Sequence, residues 1–197
     1  MKHINDVLNE SILDKDLGDK ADEQIIRNWI IKQCGENAGK AMSFDKDGGI
    51  VFPKAAWIRF GIKDEIPEFI KITSCSEINI IFMNDGDAVI PEGFLPKSLD
   101  RLEVRLYSDT EPTLDLQTNT LNTNNFVLSG PVARLILPKK FTCGELDVSS
   151  AERLADIENI NTSKIKKVNF SNRFGANLIR KYLKIRGEIK LNGFGPY

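Results

Sequence analysis

A chain of 197 residues is long enough to enclose a hydrophobic core without disulfide or metal staples, and 41% hydrophobic, 28% charged and 8% aromatic residues describe a folded globular protein, neither disordered nor membrane-embedded. No apolar run approaches the roughly 18 residues of a membrane-spanning helix, and Met1–Asn9 lacks the basic-then-apolar layout of a secretory leader, so a cytoplasmic protein without membrane contact is expected. The formal charge of -1 hides an acidic start (Asp6, Glu10, Asp14, Asp16, Asp19) and a basic end (Arg173, Arg180, Lys181, Lys184, Arg186, Lys190), where a solvated helix face is favoured over a nucleic-acid footprint because no aromatic residues interleave with the cations.

Ile4, Val7, Leu8 and Ile12 fall at helical spacing, which predicts a short amphipathic helix ending before Asp14. A second helix is predicted over Asp22–Gln33. Ile25, Ile26, Trp29 and Ile30 form its apolar face, Asp22 and Glu23 suit the positive end of its dipole, Gly35 stops it, and Trp29 anchors it to the rest. Residues 1–40 are therefore an acidic helical N-terminal region. Residues 41–56 are a capping hairpin: Ala41–Phe44 and Ile50–Phe52 flank Asp45-Lys-Asp-Gly-Gly49. The alternate aspartates invite comparison with a calcium loop. That reading fails because the glycine is misplaced and Ala56 stands where the closing glutamate belongs, so a tight turn is expected.

Residues 57–174 carry a repeat. Apolar pairs separated by one position recur as Ile58/Phe60, Ile80/Phe82, Leu102/Val104, Leu146/Val148 and Val168/Phe170, about 22 residues apart, with a weakened turn in which Asn124 takes the first place and Phe126 the second. Leu99, Leu121, Cys143 and Ile165 precede them by three positions. One short strand with its return segment cannot bury an apolar face, whereas stacked copies share a continuous core. Return segments hold their own apolar positions, Leu114/Leu116, Leu135/Leu137 and Ile157/Ile160, and corner residues such as Pro91, Gly93, Pro112, Gly130 and Pro131. Ser149 and Glu152 suggest a capping box for a single helical turn. Residues 175–197 are a C-terminal cap helix, Ala176–Arg186, and tail. The expected fold is mainly β with flanking helices, a short β-solenoid closed by an N-terminal helix and hairpin and by a C-terminal helix.

Chemistry-bearing constellations are sparse. Cys34, Cys75 and Cys143 share no metal or redox spacing and read as structural thiols, and His3 is the sole histidine. Gly187, Gly193 and Gly195 lack the context of a phosphate loop, and the carboxylate pairs Asp85/Asp87 and Asp64/Glu65 sit in turns. No catalytic residue, metal ligand or cofactor site is assigned.

Leu99–Leu106 and Ile165–Phe170 resemble leucine-rich repeats, and Cys75-Ser-Glu-Ile-Asn-Ile80 with Pro91-Glu-Gly-Phe-Leu-Pro96 is similar to the divergent bacterial surface-antigen or Treponema type. The layout also resembles leucine-rich-like proteins of large tailed bacteriophages and gut bacteria, which would place the chain in a host cytoplasm or a virion. The asparagine that bonds coil to coil in ordinary leucine-rich repeats is replaced by Tyr107, Ser129, Ala151 and Arg173. A flatter, irregular solenoid is therefore expected, with a right-handed β-helix as the competing architecture. The resemblance implies non-enzymatic recognition of a protein partner on the outward strand positions Arg101, Glu103, Arg105, Asn125, Glu145, Asp147, Lys167 and Asn169. The alternatives are a carbohydrate-active β-helix using the charged members of that set, and nucleic-acid binding through Lys181 and Lys184.

Overall fold

The computed structural model describes residues 22–151, 153–171 and 188–192. The helices expected over Ile4–Ile12 and Ala176–Arg186 lie outside the described residues, as does Glu152. Residues 22–34 are helical (α1) and Glu36–Ala41 form a second short helix (α2). The hairpin strands β1 (Ser43–Phe44) and β2 (Ile50–Val51) pair antiparallel. Five coils follow, bounded by six long strands: β3 (Trp57–Ile62), β5 (Glu77–Phe82), β7 (Ser98–Leu106), β9 (Thr120–Ser129), β11 (Lys140–Ser150) and β13 (Lys164–Ser171). Return segments hold β4 (Ile72–Ser74), β6 (Ala88–Ile90), β8 (Thr113–Leu116), β10 (Arg134–Ile136) and β12 (Asp156–Glu158), and β14 (Glu188–Asn192) comes last.

The long strands and β14 form one seven-stranded parallel sheet in the order β14-β13-β11-β9-β7-β5-β3, and β12-β10-β8-β6 form a second parallel sheet. Parallel neighbours cannot be joined by a tight hairpin and need a crossover. In ordinary α/β folds that crossover is a helix; here, between β5 and β13, it is the short strand of the second sheet, and between β3 and β5 it is β4, which pairs with the hairpin. The chain is thus a two-sided β-solenoid, and the expected mainly-β solenoid is what forms.

The interior is built from rows of matching side chains. Ile58, Ile78, Leu102, Phe126, Leu146 and Val168 are successive partners across the large sheet. Phe60 pairs with Ile80, Ile80 with Val104, Val104 with Leu128, and Val148 with Phe170, all of them buried. Leu114, Leu135 and Ile157 form the opposite wall. Burying a Leu, Ile or Phe contributes about 1.5–3 kcal/mol, so these rows are the main favourable term in the fold.

Register corrects the expected spacing. Along the first row the intervals are 20, 24, 24, 20 and 22 residues, not a constant 22. Ile80 therefore faces Val104 where the constant interval would bring Leu102, and Phe126, not Asn124, holds the first place of its coil. Asn124 points outward, and its amide donates to Asp100 Oδ1 at 3.2 Å. Stacking is dictated by which side chains must be inside, while the corners take up surplus residues: Ala88 and Leu114, paired in the second sheet, are 26 residues apart, but Leu114 and Leu135 only 21.

A third inward row precedes two consecutive outward residues in the four longest strands, β7, β9, β11 and β13, where the alternation breaks. Leu99, Thr123, Cys143 and Ile165 occupy it. Thr123 thus stands in the place expected for Leu121, which instead faces Phe141. Three side chains tie the kink down by donating to the carbonyl two residues on: Cys75 to Glu77 at 3.3 Å, Thr123 to Asn125 at 3.0 Å and Cys143 to Glu145 at 3.0 Å. Burial pushes the thiols up, Cys75 to about 11 and Cys143 to about 12, so they act as small buried donors and not as nucleophiles.

The first coil is covered by α1. Ile30 is fully buried, and the Trp29 ring lies 6.0 Å from Phe60 and 6.3 Å from Phe94, so Trp29 is the expected anchor. Ile25 departs from the expectation, being largely exposed. Gly35 ends the helix with φ +88°. The hairpin turn is closed by Asp45, whose Oδ1 accepts from the Asp47 and Gly49 amides, both at 2.9 Å, while Oδ2 accepts from the Thr73 hydroxyl at 2.7 Å. The hairpin joins the solenoid because β2 pairs parallel with β4. Ser149 is no helix cap; it lies in β11 and its hydroxyl donates to Asp147 Oδ1 at 2.6 Å. Its phase along the strand, next to buried Val148, makes it part of the outward surface.

Candidate functional site: the outward face of the large sheet

In-register parallel pairing sets outward residues in rows as strictly as inward ones, each step about 4.8 Å. One row runs Trp57, Glu77, Arg101, Asn125, Glu145, Lys167. The next runs Arg59, Asn79, Glu103, Val127, Asp147, Asn169, and a third Gly61, Ile81, Arg105, Ser129. All eight residues expected on this face belong to these rows. Sequence reading missed Trp57, 54% exposed at the start of the first row, although its place immediately before the first apolar pair was the available signal.

Charges on the face partner one another. Glu103 sits between two arginines of its own strand, with Arg101 Nη2 at 3.2 Å and Arg105 Nη2 at 3.6 Å. Arg105 also donates to Ser129 Oγ at 3.3 Å and to the Tyr107 hydroxyl at 3.2 Å. On the other half, Glu145 Oε1 accepts from Lys167 Nζ at 2.6 Å and from the Asn169 amide, which also reaches Asp147 Oδ2 at 3.5 Å. The Lys167 bond, with the Asn169 bond behind it, holds Glu145 below the usual carboxylate range. Between the halves, β9 presents Asn125, Val127 and Ser129, all uncharged.

From β3 to β13 the rows carry four cations, Arg59, Arg101, Arg105 and Lys167, and four anions, Glu77, Glu103, Glu145 and Asp147. A net charge of zero gives no polyanion footprint, which needs clustered uncompensated Lys and Arg. Arg101 and Arg105 with Glu103 lean one half of the face positive, whereas Glu145 and Asp147 with Lys167 lean the other negative. Glu145 is held as an anion by direct donors, the opposite of the raised carboxyl that general-acid chemistry requires. Asn79 lies in the middle of the rows, 8% exposed, and its Oδ1 has no hydrogen-bond partner.

Among the described residues no group of three or more His, Cys, Asp or Glu side chains is placed to hold a metal ion. Nor is any helix among them long and apolar enough to cross a membrane. Compared with known proteins, the chain matches no protein-family model, no curated protein and no solved structure.

Proposed function

We propose that the protein is a non-enzymatic recognition module of the divergent leucine-rich-repeat kind, docking a protein partner on the outward face of the large sheet. The observation that carries this reading is the face itself: eight charged side chains of both signs, projected at fixed spacing from strands whose inner sides are locked in one core. Rigid strands hold these groups in place before binding, so little side-chain ordering is left to oppose association. A partner fitting this surface presents the inverse pattern, acids opposite Arg101 and bases opposite Glu145. Such complementarity selects partners by sign and register more than by raw affinity. We place the protein in the cytoplasm, or in a virion if a phage encodes it.

The test is a fourfold variant, Arg101→Ala, Glu103→Ala, Glu145→Ala and Lys167→Ala, expressed with an affinity tag in the native cell. Proteins retained by the wild-type chain are expected to bind it at least about tenfold more weakly. Retention of every partner by a variant with unchanged melting temperature refutes the assignment.

A further inference from the structure

A cleft of about 800 Å³ runs across one line of corners at the edge of the face described above, with which it shares Arg105 and Ser129. Successive coils each contribute to its wall: Met83 and Asp85 after β5, Tyr107 and Asp109 after β7, Ser129 to Pro131 at the end of β9, and Ser150 with Arg153 after β11. Four corners stacked at strand spacing span about 14 Å along the solenoid axis. The cleft is thus elongated, and fits a short linear ligand better than a compact one.

Its chemistry is mixed and balanced. Arg105 and Arg153 are offset by Asp85 and Asp109, so the lining has no net charge to select a phosphate or sulfate. Ser129 and Ser150 add hydroxyls able both to donate and to accept. Tyr107 is 55% exposed although its ring is large and apolar, and Met83 is exposed beside it. The ring is not loose: its hydroxyl accepts from Arg105, which is itself bonded to Ser129. Asp85 Oδ1 fixes the neighbouring corner by accepting from Ser108 Oγ at 3.2 Å and from the Asp109 amide at 3.0 Å. Gly130, at φ +105°, lets the β9 corner approach the β7 corner so closely that a Cβ there would lie 2.2 Å from the Leu106 carbonyl oxygen.

A held aromatic face, alternating donors and acceptors, and zero net charge match a polyhydroxylated chain, whose sugar rings offer an apolar C–H face to stack and hydroxyls at the edge to bond. We infer that this cleft binds a neutral oligosaccharide, with Tyr107 as the stacking platform and Arg153, Ser129 and Ser150 as edge contacts. The inference concerns binding only, and its test is separable from that of the sheet face, because its variants leave Arg101, Glu103, Glu145 and Lys167 intact.

The full chain is titrated by saturation-transfer NMR with cellotetraose, maltotetraose, mannotetraose and chitotetraose, and with a sulfated heparin tetrasaccharide. At least one neutral tetrasaccharide is expected to bind, and Tyr107→Ala to weaken it by about tenfold or more. Tyr107→Phe, which keeps the ring, is expected to retain most of the affinity. Three results would each overturn the inference: no neutral tetrasaccharide bound at millimolar concentration, binding only of the sulfated probe, or neutral binding indifferent to Tyr107→Ala in a variant that melts like the wild type.

Discussion

Adjacent residues of one strand live under different rules. In β9, Phe126 faces a closed interior and contacts the Phe141 ring at 6.1 Å, whereas Val127 next to it faces outward between Glu103 and Asp147. The inner rows are chosen by volume and apolarity, and they set the register. The outer rows inherit that register and carry charges that compensate one another. Stability and recognition are therefore written on opposite sides of the same backbone, and substitutions on one side leave the other largely untouched.

The largest effect that separates the two sides is expected from truncating neighbours. Phe126→Ala opens a cavity in the buried row and is expected to cost about 3–5 kcal/mol, while Val127→Ala stays within about 0.5 kcal/mol; paired urea melts measure the contrast. Similar losses from both would mean that the outer rows are themselves packed against something. Gly130→Ala comes next. It adds a Cβ against the Leu106 carbonyl at a positive φ and is expected to cost more than about 1 kcal/mol, whereas Gly48→Ala, where the φ is positive but the surroundings are open, is expected to cost less. Glu145→Gln has the smallest effect at neutral pH, no more than about 1 kcal/mol for a pair this accessible to water. Its signature is pH dependence. The folded Glu145 carboxyl titrates below its unfolded value, so its contribution is present above the unfolded value and lost as pH falls through the folded one. Melting temperatures of the Gln variant should accordingly fall less steeply on acidification than those of the wild type.

The sequence revealed the solenoid because an inner row must be apolar in every coil, and Leu102/Val104, Leu146/Val148 and Val168/Phe170 satisfy that without gaps. Register between coils was harder to read. Ile78, Ile80, Ile81 and Phe82 offer several apolar pairs to a fixed interval, and only the pairing of Ile78 with Leu102 decides among them. Thr123 was passed over because a polar side chain inside looks like an error in an apolar frame, yet its hydroxyl finds the Asn125 and Asp100 carbonyls. Outward residues were found by alternation alone. Their pairing was not, because Glu145 with Lys167 and Asn169 are joined across strands 22 and 24 residues apart, a distance no local pattern reports. The cleft was invisible for the same reason: Tyr107 was noted only as a departure from the asparagine of ordinary repeats, and its neighbours come from four corners.

Slack in the corners has a consequence for how such a molecule can change. Because a coil of 20 residues stacks on one of 24 with its inner rows still aligned, the length of a corner is decoupled from the integrity of the interior. Insertions and deletions at the bends are therefore expected to leave the stack as it is, so the rim can be remodelled without altering the scaffold beneath it.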